Sequence, residues 1–186
     1  MTIDDFILDE TSLALGRALH HHGLVAPSLR QIAGQMNTVP GTLLHHFGSK
    51  DRLLTFSADR LGDRCLRALR DRITYHRWDG FIPDGSKIDD VFLTRARLGL
   101  AAIARTLPGV GRTVARLRRE EQELIWDRAR ADGADLEPDS PLLPLCADSL
   151  VGLWEAVCIP EPPLLVAEAR ERWRVVADLL RKATVV

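Results

Sequence analysis

The sequence predicts an all-α chain: a three-helix amino-terminal head followed by a larger helical body, about nine helices in all. Three observations carry this. Apolar residues recur at three- and four-residue steps over long stretches, and the alternation of Val, Ile and Thr that marks strands is missing. Capping and stop residues fall at the ends of those stretches. Hydrophobic residues make up 46% and charged residues 27% of the 186, a balance that supports a sizeable core and excludes a disordered chain.

The first helix is expected from Ile3 to His21. Leu8, Leu15 and Leu19 lie near one face, with Ser12 and Arg17 away from it. Asp4, Asp5 and Asp9 suit its positive N-terminal end, and Gly23 is placed to stop it. Ser28 then opens a second helix, Leu29 to Met36, with Gln31 at capping-box spacing. Leu29, Ile32, Ala33 and Met36 are its expected core residues, and Asn37 tolerates the left-handed turn that closes it. A third helix starts near Val39, with Pro40 in its first turn, where a missing N–H costs nothing. Thr38 or Val39 caps it, Thr38 being the better cap chemically. Gly48 ends it and Ser49 caps the next.

The fourth helix is long, Lys50 to His76, with one stripe of Leu54, Ala58, Leu61, Cys65, Leu69 and Ile73. Trp78 to Ser86 contains Gly80, Pro83 and Gly85 and reads as a loop. Helices follow at Ile88–Thr106, Val110–Asp132, Leu142–Cys158 and Leu164–Ala183. The short turn Pro160–Pro163 makes the last two antiparallel neighbours. The division read from this order is a head, residues 1–48, and a body, residues 49–186.

Bulk properties narrow the function classes. Net charge is −1, so a nucleic-acid partner must rest on local clusters rather than the total. The three cysteines, Cys65, Cys146 and Cys158, form no close pair and read as reduced, buried hydrophobes. No secretory signal or membrane span is legible, so a cytoplasmic location is expected. There is no Ser-His-Asp order, glycine-rich phosphate loop, His-Glu-x-x-His or other metal spacing, so no catalytic residues, no metal and no cofactor are expected.

The stretch Ser28 to Lys50, SLRQIAGQMNTVPGTLLHHFGSK, carries the chemistry. Two short helices joined by a tight turn, with Ile32, Ala33, Leu43 and Phe47 facing inward, make a helix-turn-helix whose second helix fits a major groove. Its outer face then carries Pro40, Gly41, Thr42, Leu44, His45 and His46. Thr42 offers a hydroxyl, and a methyl for a thymine methyl; the histidines offer donors to phosphates and base edges. Lys50 and the N–H groups behind the Ser28 cap suit phosphates, and Arg30 and Thr38 complete the contact set. Adjacent helical histidines point about 100° apart, which argues against a metal at His45-His46. His20-His21-His22 is read as a solvated helix end, where imidazolium suits the dipole.

The pattern Ser28-x-Arg30-x-Ile32-Ala33, then Gly41-Thr42-Leu43-x-His45-His46-Phe47-x-Ser49-Lys50, resembles the TetR family of bacterial transcription regulators. The match covers Leu8 to Leu54; beyond it only the helical architecture agrees. The chain departs from the family at Asn37-Thr38 (usually Gly-Val), at Pro40 (usually Lys) and at Leu44 (usually Tyr). The resemblance implies a homodimer on double-stranded operator DNA, released by a small-molecule effector held in the body. Trp78, Phe92, Arg95 and Trp126 are candidates to line the effector pocket. Leu150, Trp154 and Val157 on one terminal helix and Trp173, Val176 and Leu180 on the other are candidates for the dimer interface. The arginine-glutamate helix from Val110 is read as a solvated face with pairs such as Arg116–Glu120. The rival reading is a helical enzyme or small-molecule carrier with a merely structural head.

Overall fold

The computed structural model describes residues 3–22, 26–84, 87–158 and 165–182. Eight α-helices and one 3-10 turn follow in order: α1 Ile3–His22, α2 Leu29–Gln35, α3 Pro40–Phe47, α4 Lys50–His76, the 3-10 turn Arg77–Phe81, α5 Ile88–Ala104, α6 Pro108–Ala131, α7 Leu142–Cys158 and α8 Val166–Lys182. No strand occurs among the described residues. The expected stop at Gly23, the Asp4 and Asp5 side chains, Gly85, the turn Pro160–Pro163, and the ends at Leu164 and Ala183 lie outside them.

The chain divides into two compact units. One comprises residues 1–65 and 92–116; the other comprises residues 66–91 and 117–186.

The first unit contains α1, α2 and α3. Ala14, Leu15, Ala18 and Leu19 of α1 are sealed with Ile32, Ala33, Leu43, Leu53 and Leu54. Ser12 is not on the outer face as expected. It is fully buried, because its hydroxyl donates to the Asp9 carbonyl at 2.7 Å and so needs no water. Gly99 packs closely on α1: a Cβ there would lie 3.0 Å from Leu19 Cδ2, so Leu19 would have to shift by a few tenths of an ångström. The Arg116 guanidinium meets Asp63 of α4 at 2.9 Å. Thr113 donates to Asp59 on the same side of α4.

The second unit is built on aromatics. Phe81 stacks on Trp78 at 5.6 Å and tilts against Trp173 at 5.4 Å. Trp154 Nε1 donates to the Phe81 carbonyl at 2.7 Å. The start of the expected loop is thus a 3-10 turn whose Trp78 and Phe81 are core, as is Ile82 just after it. Glu120 also pairs across helices, accepting from Arg70 at 2.8 Å. Cys146 and Cys158 are buried and Cys65 is partly covered, and burial pushes the Cys146 thiol up to about 11.

Candidate nucleic-acid interface

Local chemistry fixes the α2-turn-α3 element. Ser28 and Gln31 form a reciprocal capping box: Gln31 N–H donates to Ser28 Oγ at 3.2 Å, and Ser28 N–H donates to Gln31 Oε1 at 2.7 Å. At the other end Asn37 takes φ +53°, the left-handed conformation. Thr38 N–H reaches back to the Ala33 carbonyl at 3.0 Å, and Asn37 N–H donates to that of Gly34 at 3.3 Å. These two bonds are a Schellman closure, and they turn the chain into α3. α2 buries Ile32 and Ala33; Leu29 and Met36, also expected in its core, are only partly covered.

α3 begins with Val39 as N-cap, not Thr38, and Val39 offers no side-chain cap. Pro40 sits in the first turn as expected. Gly48 ends the helix at φ +75°, which a side chain would resist, and its N–H donates to the Leu44 carbonyl at 2.8 Å. Ser49 Oγ then accepts from Arg52 N–H at 3.2 Å and opens α4.

This frame aims the side chains. Leu43 and Phe47 are buried, while Gly41, Thr42, Leu44, His45 and His46 are exposed. Ser28 and Arg30 are exposed beside them, and Thr38, Pro40 and Lys50 are half-exposed. The His45 and His46 rings meet edge to face at 5.7 Å. Between Ser28 and Leu54 the fixed charges are Arg30, Lys50 and Arg52 against Asp51. The surface therefore combines a hydroxyl, two imidazoles, small residues and a positive excess, all outward from a rigid frame. Such a set can donate to phosphates and base edges in a groove wide enough for a helix. Of the ten residues expected to touch DNA, nine lie on the α2-turn-α3 element and Lys50 opens α4; none is buried.

His20 departs from its expected solvated state. Its Nδ1 is sealed from solvent without a hydrogen-bond partner, and its ring lies 6.1 Å from that of Phe92. Burial, then the charges of Arg95 and His21, lower its pKa and favour the neutral ring.

The residues expected around an effector are shared between the two units. Phe92 and Arg95 belong to the first unit, Trp78 and Trp126 to the second. Trp126 Nε1 donates to the Leu136 carbonyl at 2.9 Å, and Arg130 lies over its ring. Trp78 alone of the four lines an open cleft of about 570 Å³, together with His76, Arg77, Asp132, Arg174 and Arg181. Sequence reasoning missed these arginines and Asp132. Burial pushes the Asp132 carboxyl up, but donation from Trp78, Arg77 and Arg128 outweighs it and holds the group below its ordinary value. Arg174 holds Asp79 with two bonds, at 2.9 and 2.6 Å.

The apolar stripes of the two terminal helices face this chain's own core. Leu150, Trp154, Trp173 and Leu180 are at most 4% exposed within this one chain, and Val157 and Val176 pack against the same core. The four sealed side chains have no area left to give a partner, while Val157 and Val176 are only partly buried. The outward apolar residues of α7 and α8 are Leu142, Leu145, Val175 and Leu179, at 37%, 62%, 56% and 65% exposure. No group of three metal-ligating residues and no helix long and apolar enough to cross a membrane occurs among the described residues.

No family model and no curated protein matches the chain. Solved structures do resemble it. One is a transcriptional regulator from Rhodococcus sp. Rha1, at 19% identity over the whole of both chains, with a TM-score of 0.76. A second is a protein from Rhodococcus sp. assigned as a TetR-family transcriptional regulator, at 23% identity over 94% of this chain and 98% of that one, TM-score 0.71. A third, assigned as a transcriptional regulator from Saccharomonospora viridis and in complex with choline, is 15% identical over 94% of this chain and 96% of that one, TM-score 0.68. The likeness extends well past the helix-turn-helix that carries the sequence resemblance, and the chain has the fold of the TetR-family transcriptional regulators.

Proposed function

We propose that the chain is a ligand-responsive, DNA-binding transcriptional regulator, not an enzyme: a repressor that binds a palindromic operator as a homodimer and is released by a small-molecule effector. One observation carries the DNA-binding part. Leu43 and Phe47 are spent on the core, and Thr42, His45 and His46 are thereby left outward on α3. We place the DNA-binding head at residues 1–48 and the effector-binding and dimerisation body at residues 49–186.

The remaining parts follow from physical requirements. A two-fold dimer on a duplex needs half-sites about one helical turn apart, roughly 34–36 Å. The partner-facing surface is Leu145, Val175 and Leu179, because these outward residues remain after the core is filled. The effector takes the cleft beside Trp78; that a neighbour of the same fold, from Saccharomonospora viridis, is in complex with choline supports a ligand-binding role but not this particular place. It acts only through unequal affinity for the DNA-competent and DNA-incompetent states, with α4 as the link.

Gel-shift titration of the full chain against short duplexes from its own promoter region, at low and physiological salt, tests the proposal. A specific complex that weakens as salt rises is expected. A chain that retains no duplex at either salt is instead the helical carrier or enzyme of the rival reading.

A further inference from the structure

Val39 forgoes both ordinary uses of a side chain at its position. As N-cap of α3 it stands where Ser, Thr, Asp or Asn would accept a backbone N–H, and it makes no such bond. It is also 62% exposed, so its isopropyl group adds little to the core. Leu44, further along the same helix, is 40% exposed. Between them Gly41 leaves the surface low: a Cβ built there meets nothing within 4 Å. A helix tip that gives up a cap to expose a branched hydrocarbon breaks a local rule, as residues do where a partner is met.

The polar inventory of α3 says what that partner offers. Pro40–Phe47 contains no lysine or arginine, the residues that make the common two-bond contact with guanine. Its polar heads are Thr42, His45 and His46. On the floor of the major groove the apolar group is the 5-methyl of thymine.

We propose that α3 selects its half-site by apolar contact with thymine methyl groups, Val39 at the tip and Leu44 on the flank covering methyls on either side of the Thr42 contact. The half-site is then rich in A·T pairs and lacks an arginine-read guanine at its centre. This rests on α3 being the helix that enters the groove.

Selection of bound duplexes from a random pool by the full-length protein, followed by thymine-to-deoxyuridine exchange, tests it. The exchange removes only the 5-methyl. Thymines are expected opposite α3, and each exchange there weakens binding about fourfold, the value of one buried methyl. Val39→Ser restores a capping hydroxyl, so its melting temperature should not fall, while its discrimination between thymine and uracil at one position is lost. Leu44→Ala does the same at another. Equal affinity for thymine and uracil duplexes, half-sites anchored on guanine, or full discrimination by Val39→Ser would each overturn the proposal while leaving DNA binding intact. A pool from which nothing is retained overturns α3 as the recognition helix, and this inference with it.

Discussion

Leu43 and Phe47 stand one helical turn apart on α3 and are 1% and 6% exposed, while the three residues between them, Leu44, His45 and His46, are all exposed. The anchor and the outward surface are thus two consequences of one spacing. Truncation on the two faces should separate cleanly. Leu43→Ala removes a sealed side chain and is expected to cost about 2–5 kcal/mol in urea unfolding. Thr42→Ala, on the exposed face, should stay within about 0.5 kcal/mol of the parent. Equal costs would mean that α3 is not anchored through Leu43.

His20 sets a pH dependence. Its folded pKa lies below the ordinary 6.5, so the unfolded chain binds the proton more readily than the folded one. Stability is therefore intact above about pH 6.5 and declines as the pH falls through that value, levelling once the folded ring is also protonated. His20→Gln should flatten the melting-temperature profile through this window. An NMR titration that finds the His20 ring at or above its ordinary pKa would contradict the burial of Nδ1.

Asp132 organises the 3-10 turn, because one carboxylate takes the Trp78 indole N–H at 2.6 Å and an Arg77 guanidinium at 2.5 Å, besides Arg128. Asp132→Ala leaves those donors without their acceptor. A loss of about 1–3 kcal/mol and a shift of the tryptophan emission are expected, read by denaturant titration. Unchanged emission and stability would show that the carboxylate does not hold the turn.

Leu179→Glu tests the partner surface. Its side chain is 65% exposed, so the charge costs the isolated chain little, whereas two charges brought together across a symmetric interface oppose association. Sedimentation velocity should show a smaller species for the variant than for the parent. A parent that sediments as a monomer throughout would remove the homodimer from the proposed function.

What the sequence revealed depended on how local the cause was. The Ser28–Gln31 box, the Asn37 turn and the Gly48 stop are set by residues within a few positions of one another, and each was legible. The long α4 was legible because one apolar stripe runs its length and its ends, Lys50 and His76, carry ordinary signals. Partner choice was not legible. The stripe through Leu150, Trp154 and Trp173 announces burial but not against what, and it proved to be this chain's own core. The contact of Arg116 with Asp63, which is distant in sequence, left no local signal. Gly80 and Pro83 suggested a loop, while the pull on Trp78, Phe81 and Ile82 toward the core outweighed that signal. Ser12 was misplaced because a helical hydroxyl can satisfy itself on the preceding turn.

The most direct measurement is fluorescence anisotropy of a selected duplex with the parent chain and with the Thr42→Ala/His46→Ala double variant, each checked for folding and sedimentation. The double variant is expected to keep the parent's melting temperature and size and to bind at least about tenfold more weakly, as loss of base contacts requires. Parental affinity in a folded double variant would contradict the assignment of α3 as the surface that meets DNA.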